Sequence, residues 1–192
     1  MDPKKLYLYA LDVATKVVER VGLEQMELAT PDTEWNVHDL LQHIIYELAW
    51  TADIVAGKTI EEVGDKYEGE LLVGNPVQAW RHYEVMARVA VEECDVETTA
   101  HLSYAVMPVS EYLFDAGIDQ LIHAWDLGQA IGVPVVFDVS MAQGVYDRVS
   151  PKKDQLVVSG LFAAPVAVPD DATVQVKLLA IMGRSESWSD KN

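Results

Sequence analysis

Residues 110–134, SEYLFDAGIDQLIHAWDLGQAIGVP, decide the fold class and also carry the chemistry. Ser110 suits a helix N-cap, Gly132 a helix end and Pro134 a stop just beyond, so the stretch predicts one long helix. Within it Asp119 and His123 stand four residues apart, one turn from each other on one face. The same face carries Ile122, Asp115 and Asp126, an unusual density of carboxylate for a buried stripe. A buried carboxylate needs a partner, because an unpaired charge is costly to desolvate. A divalent metal ion supplies one; so does a plain Asp–His hydrogen bond.

The same signals repeat on either side. Upstream, Asp2 and Pro3 open a first helix that Gly22 closes, with Tyr7, Ala10, Ala14, Val17, Val18 and Val21 as its apolar stripe. Asn36 caps a second helix running to about Gly57, whose buried face is Val37, Leu40, Leu41, Ile44, Leu48 and Val55. Residues 57–75, with four spaced glycines among charged residues, form a connection long enough to cross the end of a bundle. Asn75-Pro76 opens a third helix over 76–93, and residues 94–108 read as loop or short strand. Downstream come a shorter helix from Asp138 to Val149, a loop containing Gly160, and a last helix from Asp170 through Met182 that Gly183 ends. Four long amphipathic helices and two shorter ones predict an all-α bundle. Residues 1–188 form one domain in this reading and 189–192 a polar tail.

Composition agrees. The chain has 192 residues and is 50% hydrophobic, enough for a sizeable core without staples. Fourteen Lys and Arg against 31 Asp and Glu give a net charge of −17, which repels phosphate backbones and anionic lipid heads. Nucleic acid and membrane are therefore excluded as expected partners. No run reaches the roughly 18 apolar residues that span a bilayer. The lone Cys94 excludes an intrachain disulfide framework, and its acidic neighbours Glu92, Glu93 and Asp95 argue against a nucleophilic thiol. No signal peptide is legible, so a cytoplasmic protein is expected.

A third ligand for an ion at Asp119 and His123 has to come from another helix. His43, placed by Leu40 and Ile44 at the edge of the second helix's apolar face, is the candidate. Two imidazoles and one carboxylate leave coordination positions free, the pattern of open rather than structural zinc sites.

The stretch Glu34-Trp35-Asn36-Val37-His38-Asp39-Leu40-Leu41-Gln42-His43 resembles the W-x-V-x-D-L-x-x-H signature of the mycothiol-dependent maleylpyruvate isomerase-like proteins. That family belongs to the DinB/YfiT-like superfamily of metal-binding four-helix bundles. Residues 119–132 resemble its second signature, D-x-x-x-H-x-W-D-L-x-x-A-x-G, and 162–184 its C-terminal pattern. The resemblance covers residues 34–184 in order. It implies a DinB-like bundle with additional C-terminal helices and, residue by residue, the metal ligands His43, Asp119 and His123. Asp119 stands where the isomerases commonly carry Glu.

Around this set, Glu47, one turn beyond His43, reads first as an exposed charge and second as a carboxylate orienting that imidazole. Asp126 reads as an anchor for backbone or indole groups, Asp115 as a solvated residue, and Arg184 as structural. Trp35 and Trp125 are expected beside the site; His38, His82 and His101 are expected at the surface.

The resemblance implies one divalent ion, zinc first and nickel second. It also implies a small-molecule substrate with a low-molecular-weight thiol such as mycothiol or bacillithiol, used in S-transfer or isomerisation. A metal-dependent hydrolase and a noncatalytic metal- or ligand-binding module are the alternatives. An apolar lining favours the module; an added polar group such as Glu47 or Arg184 within reach of the ion favours catalysis.

Overall fold

A computed structural model describes residues 1–153 and 163–188. The expected Gly160 loop, Phe162 and the 189–192 tail lie outside the described residues. Helices α1 (Pro3–Val18), α2 (Val37–Val55) and α4 (Pro76–Glu93) begin where the sequence places their caps. Asp2 accepts from the Lys5 amide, Asn36 from Asp39, and Asn75 from Val77 and Gln78, each satisfying donors that the first helical turn leaves free. Within the long connection lies a one-turn α3 (Ile60–Val63), opened by a reciprocal Thr59–Glu62 capping box that helical periodicity does not signal. The rest of that connection is pinned to α2. Gln42 accepts from the Leu71 and Leu72 amides at 3.0 and 2.9 Å and donates to the Gly69 carbonyl at 3.1 Å.

The ambiguous segment is a hairpin: β1 (Thr99–His101) pairs antiparallel with β2 (Val106–Pro108), Ala100 facing Met107. Helix α5 (Val109–Ile131) follows directly, and its first turn differs from expectation. Pro108 occupies the N-cap, so Ser110 lies inside the helix and caps nothing; its amide bonds back to the Val96 carbonyl instead. Gly132 ends α5 at φ +72°, a left-handed conformation that glycine adopts without strain. Beyond it lie α6 (Val139–Val149), capped by Asp138, and α7 (Val174–Ile181). The last helix is shorter than expected, because Pro169–Ala172 closes a turn and Thr173, not Asp170, provides the cap.

The described residues are thus mostly helical, with one small hairpin. Helices α1 and α2 each lie against both α4 and α5, and α6 packs on α7. All six residues expected on the first helix's stripe are buried, as are all six on the second. Trp80 on α4 is fully buried with its indole N–H donating to Thr15 Oγ1 at 2.9 Å, so the ring fills the core without orphaning its polar atom. Among the described residues no helix is long and apolar enough to cross a membrane.

At the C-terminal end of α2, Asp53 gathers the following loop. Its carboxylate takes Lys58 at 2.6 Å, Lys66 at 2.7 Å and the Tyr67 hydroxyl at 2.8 Å. Burial pushes this carboxyl up, but the two ammonium groups and the phenol outweigh it and hold the pKa at about 2. A carboxyl with a depressed folded pKa contributes stability that is complete above its ordinary value near 4 and disappears as pH falls towards about 2. Because both lysines are half exposed, the contribution is on the order of 1–2 kcal/mol after solvent screening. Urea unfolding at pH 7 and pH 3 should show Asp53→Asn costing that amount at pH 7 and measurably less at pH 3. Equal costs at both pH values would contradict the assignment.

Candidate metal centre

Helices α2 and α5 meet at His43 and Asp119, and residues next to both are tied together. Gln120 Nε2 donates to the Ile44 carbonyl at 3.3 Å, so the residues after Asp119 and His43 bridge the two helices. One turn along α5, His123 projects from the same face as Asp119. His43 Nε2 lies 3.6 Å from Asp119 Oδ2, and His123 Nε2 lies 3.4 Å from Asp119 Oδ1. One ligand atom from each of the three residues falls within 4.8 Å of the others.

These distances distinguish the two readings of the Asp–His pair. A well-formed N–H···O bond spans roughly 2.7–3.2 Å, and both contacts are longer. Two donors each about 2.1 Å from one tetrahedral ion stand about 3.4 Å apart, which is the spacing seen. The residues therefore fit a divalent ion: two imidazole nitrogens, one carboxylate, and no tight hydrogen bond that an ion would have to break.

The imidazoles are held from behind. Trp35 packs against His43 with ring centroids 4.5 Å apart and planes tilted by 36°, and its centroid lies 5.7 Å from that of His123. Its segment is locked by an Ala29–Asn36 bridge and by Thr30 Oγ1 donating to the Trp35 carbonyl at 2.9 Å. His123 Nδ1 meets Asp126 Oδ2 at 3.2 Å, leaving Nε2 to face Asp119. Asp126 is fully buried and in turn receives Arg184 Nη2 at 2.8 Å and Nε at 3.2 Å. Arg184 also reaches Asp32 at 3.0 Å and the Met182 carbonyl at 3.0 Å. A carboxylate behind a ligating histidine fixes the ring and its tautomer. The expected role for Asp126, an anchor for backbone or indole groups, is thus replaced by an ionic and imidazole contact. Arg184 is structural as expected, through a carboxylate 58 positions away. No local spacing signals that pairing.

Charge follows from the same contacts. Burial pulls the His123 imidazole down, but the Asp119 and Asp126 carboxylates outweigh it and raise its pKa to about 10. Burial likewise pushes Asp119 up, and the two imidazoles reverse this and hold it far below the carboxylate range. The cluster is built to keep a carboxylate ionised beside a positive centre.

On its open side the cluster borders a cavity of about 510 Å3, within the range of small-molecule sites. His43, Glu47, Thr51 and Ile54 line it from one face of α2, and Asp115 and Asp119 from α5. Glu47, expected first as an exposed charge, is half buried in this wall. Desolvation and the neighbouring Asp119 push its carboxyl pKa up. Asp115 is solvent-exposed at the rim, as expected. His38 and His101 are half buried and His82 is exposed; none joins the cluster. Cys94 has its thiol pKa raised, chiefly by burial, as expected for an unreactive side chain.

Compared with protein-family models, with curated proteins and with solved structures, the chain matches none.

Proposed function

We propose that this chain is a DinB-like four-helix bundle, akin to the mycothiol-dependent maleylpyruvate isomerase-like proteins, that holds one divalent ion on His43, Asp119 and His123. The observation that carries the reading is the spacing of those three side chains, too long for hydrogen bonds and right for an ion. The mutual packing of α1 and α2 with α4 and α5 supports the bundle. Zinc suits an imidazole and carboxylate donor set first, and nickel second. Bound there, the ion would supply a positive centre that lowers the pKa of a coordinated thiol or water.

The chain's own residues do the rest. Trp35 excludes water from one side of the imidazoles, and Asp126 with Arg184 fixes the His123 ring. The cavity admits a small molecule to the side where His43 and Asp119 are open. Glu47 places an ionisable group in that cavity, which favours catalysis over a module that merely houses an ion. In the catalytic reading a low-molecular-weight thiol, mycothiol or bacillithiol, is used in S-transfer or isomerisation.

Metal content of untagged protein, read by mass spectrometry beside a His123→Ala variant, tests the site. Zinc or nickel near one ion per chain, lost in the variant while helicity is kept, is the expected result. Native protein without metal that takes up none on reconstitution would overturn the ligand assignment.

A further inference from the structure

Four acidic side chains line the cavity beside the metal centre; two face positive partners and a third is exposed at the rim. Glu111 is ion-paired to Arg148 at 2.5 Å, and that guanidinium is also stacked 3.8 Å over the Phe114 ring. Asp115 is exposed at the rim, where water serves its carboxylate. Asp119 faces the two imidazoles. Glu47 remains: among the described residues its carboxylate has no hydrogen bond and no ion pair. An unpaired carboxylate in a desolvated wall is costly, and the His43 and His123 imidazoles offset that cost only in part.

The surrounding groups show what would. Thr51 Oγ1 gives its single proton to the Glu47 carbonyl at 2.8 Å. It therefore accepts from both Tyr7, at 3.0 Å, and Tyr112, at 2.8 Å. Both phenols thus have their protons turned away towards Thr51, and each keeps lone pairs at the cavity floor. The floor consequently offers acceptors, Glu47 with Tyr7 and Tyr112, while on the wall the buried Trp50 indole N–H has no partner among the described residues. The Tyr46 and Trp50 rings, centroids 6.0 Å apart and one helical turn along α2 from each other, also line the cavity. Aromatic faces beside a buried carboxylate attract a cation on an apolar body.

We propose that this cavity binds a small amine with an apolar or aromatic body, its ammonium on the Glu47 carboxylate and its body against Tyr46 and Trp50. The ammonium donates up to three hydrogen bonds, matching the three acceptors. It also favours the ionised carboxylate that burial disfavours. The site stands on the cavity walls and does not depend on the ion at His43, Asp119 and His123.

Calorimetric titration with three probes of like shape tests it: 2-phenylethylamine, 2-phenylethanol and 3-phenylpropionate. The amine should bind at least about tenfold more tightly than the alcohol, and the carboxylate most weakly, a difference of about 1.4 kcal/mol per tenfold step. Glu47→Gln should erase the preference for the amine while leaving the alcohol's affinity within about twofold, the direct pairing being lost and the apolar contacts kept. His123→Ala should keep the amine preference, which separates this pocket from the metal reading. Equal binding of amine and carboxylate, a Glu47→Gln variant that keeps the preference, or no binding of any probe would overturn the proposal. Should Glu47→Gln unfold, the three-probe series on the wild-type chain decides by itself.

Discussion

Arg184→Met lowers the unfolding free energy by about 3–5 kcal/mol, the cost of leaving one partner of a buried ion pair without the other. Asp126 has no solvent exposure, and Arg184 contributes two nitrogens to it. The fall in melting temperature is roughly 10 °C for a chain of this size. The same substitution frees Asp32, which is only partly exposed. Adding Asp126→Leu removes the buried carboxylate that Arg184→Met leaves with only its His123 contact, so the double variant regains most of the lost stability. It does not regain the metal site: without Asp126 the His123 ring loses its Nδ1 partner, and affinity for zinc falls about 10- to 100-fold. Thermal unfolding with zinc titration of both variants separates the two roles. An Arg184→Met cost below about 1 kcal/mol would mean that water already serves Asp126 and that the pair is not a buried one.

Gly117→Val is the second large effect, a loss of about 3 kcal/mol from overpacking. Gly117 sits where α5 crosses α1, and a Cβ added there meets Leu6 Cγ at 3.1 Å and the Tyr7 Cα and N at 3.2 Å. Backbone atoms cannot swing aside as a side-chain end can, so the helices must separate. Tyr7 moves with them, which strains its 3.0 Å bond to Thr51 and the cavity floor. Alanine at 117 places its Cβ in those same contacts, so the helix propensity it gains, up to about 1 kcal/mol, is offset by the shift forced on α1, and valine, which adds two methyls, costs more. Urea unfolding of the pair measures both. A valine variant as stable as the alanine one would show that the α1–α5 contact has room to spare.

The elements legible in the sequence share one property: their signals are local. Asp2, Asn36 and Asn75 cap helices because a side-chain oxygen reaches amides two or three residues ahead. Tyr7, Ala10 and Ala14 declare a buried stripe through spacing alone. Ser110 misled for the same reason. It has the right chemistry for a cap, but the β2 strand ends at Pro108 and hands the chain straight into α5, so tertiary context displaced the start by two residues. Asp170 likewise lost to Thr173, because the proline before it holds a turn.

The candidate site divides along the same line. Asp119 and His123 were readable because four residues make one helical turn, and His43 because it flanks an apolar face. Glu47 was not. One turn past a surface-edge residue reads as solvent, and only the approach of α5 and the hairpin residues Leu102–Tyr104 turns that face into a cavity wall.

By itself, then, the sequence determined the long helices, the buried stripes of the first two, and which three side chains could share an ion. It did so because caps, stripes and turns are written at separations of four residues or fewer. Only the tertiary structure decided that Asp126 is paired to Arg184 and that Glu47 is left unpaired beside Tyr7 and Tyr112. Which charges find partners depends on groups tens of residues away, and on how much water the packed helices leave between them.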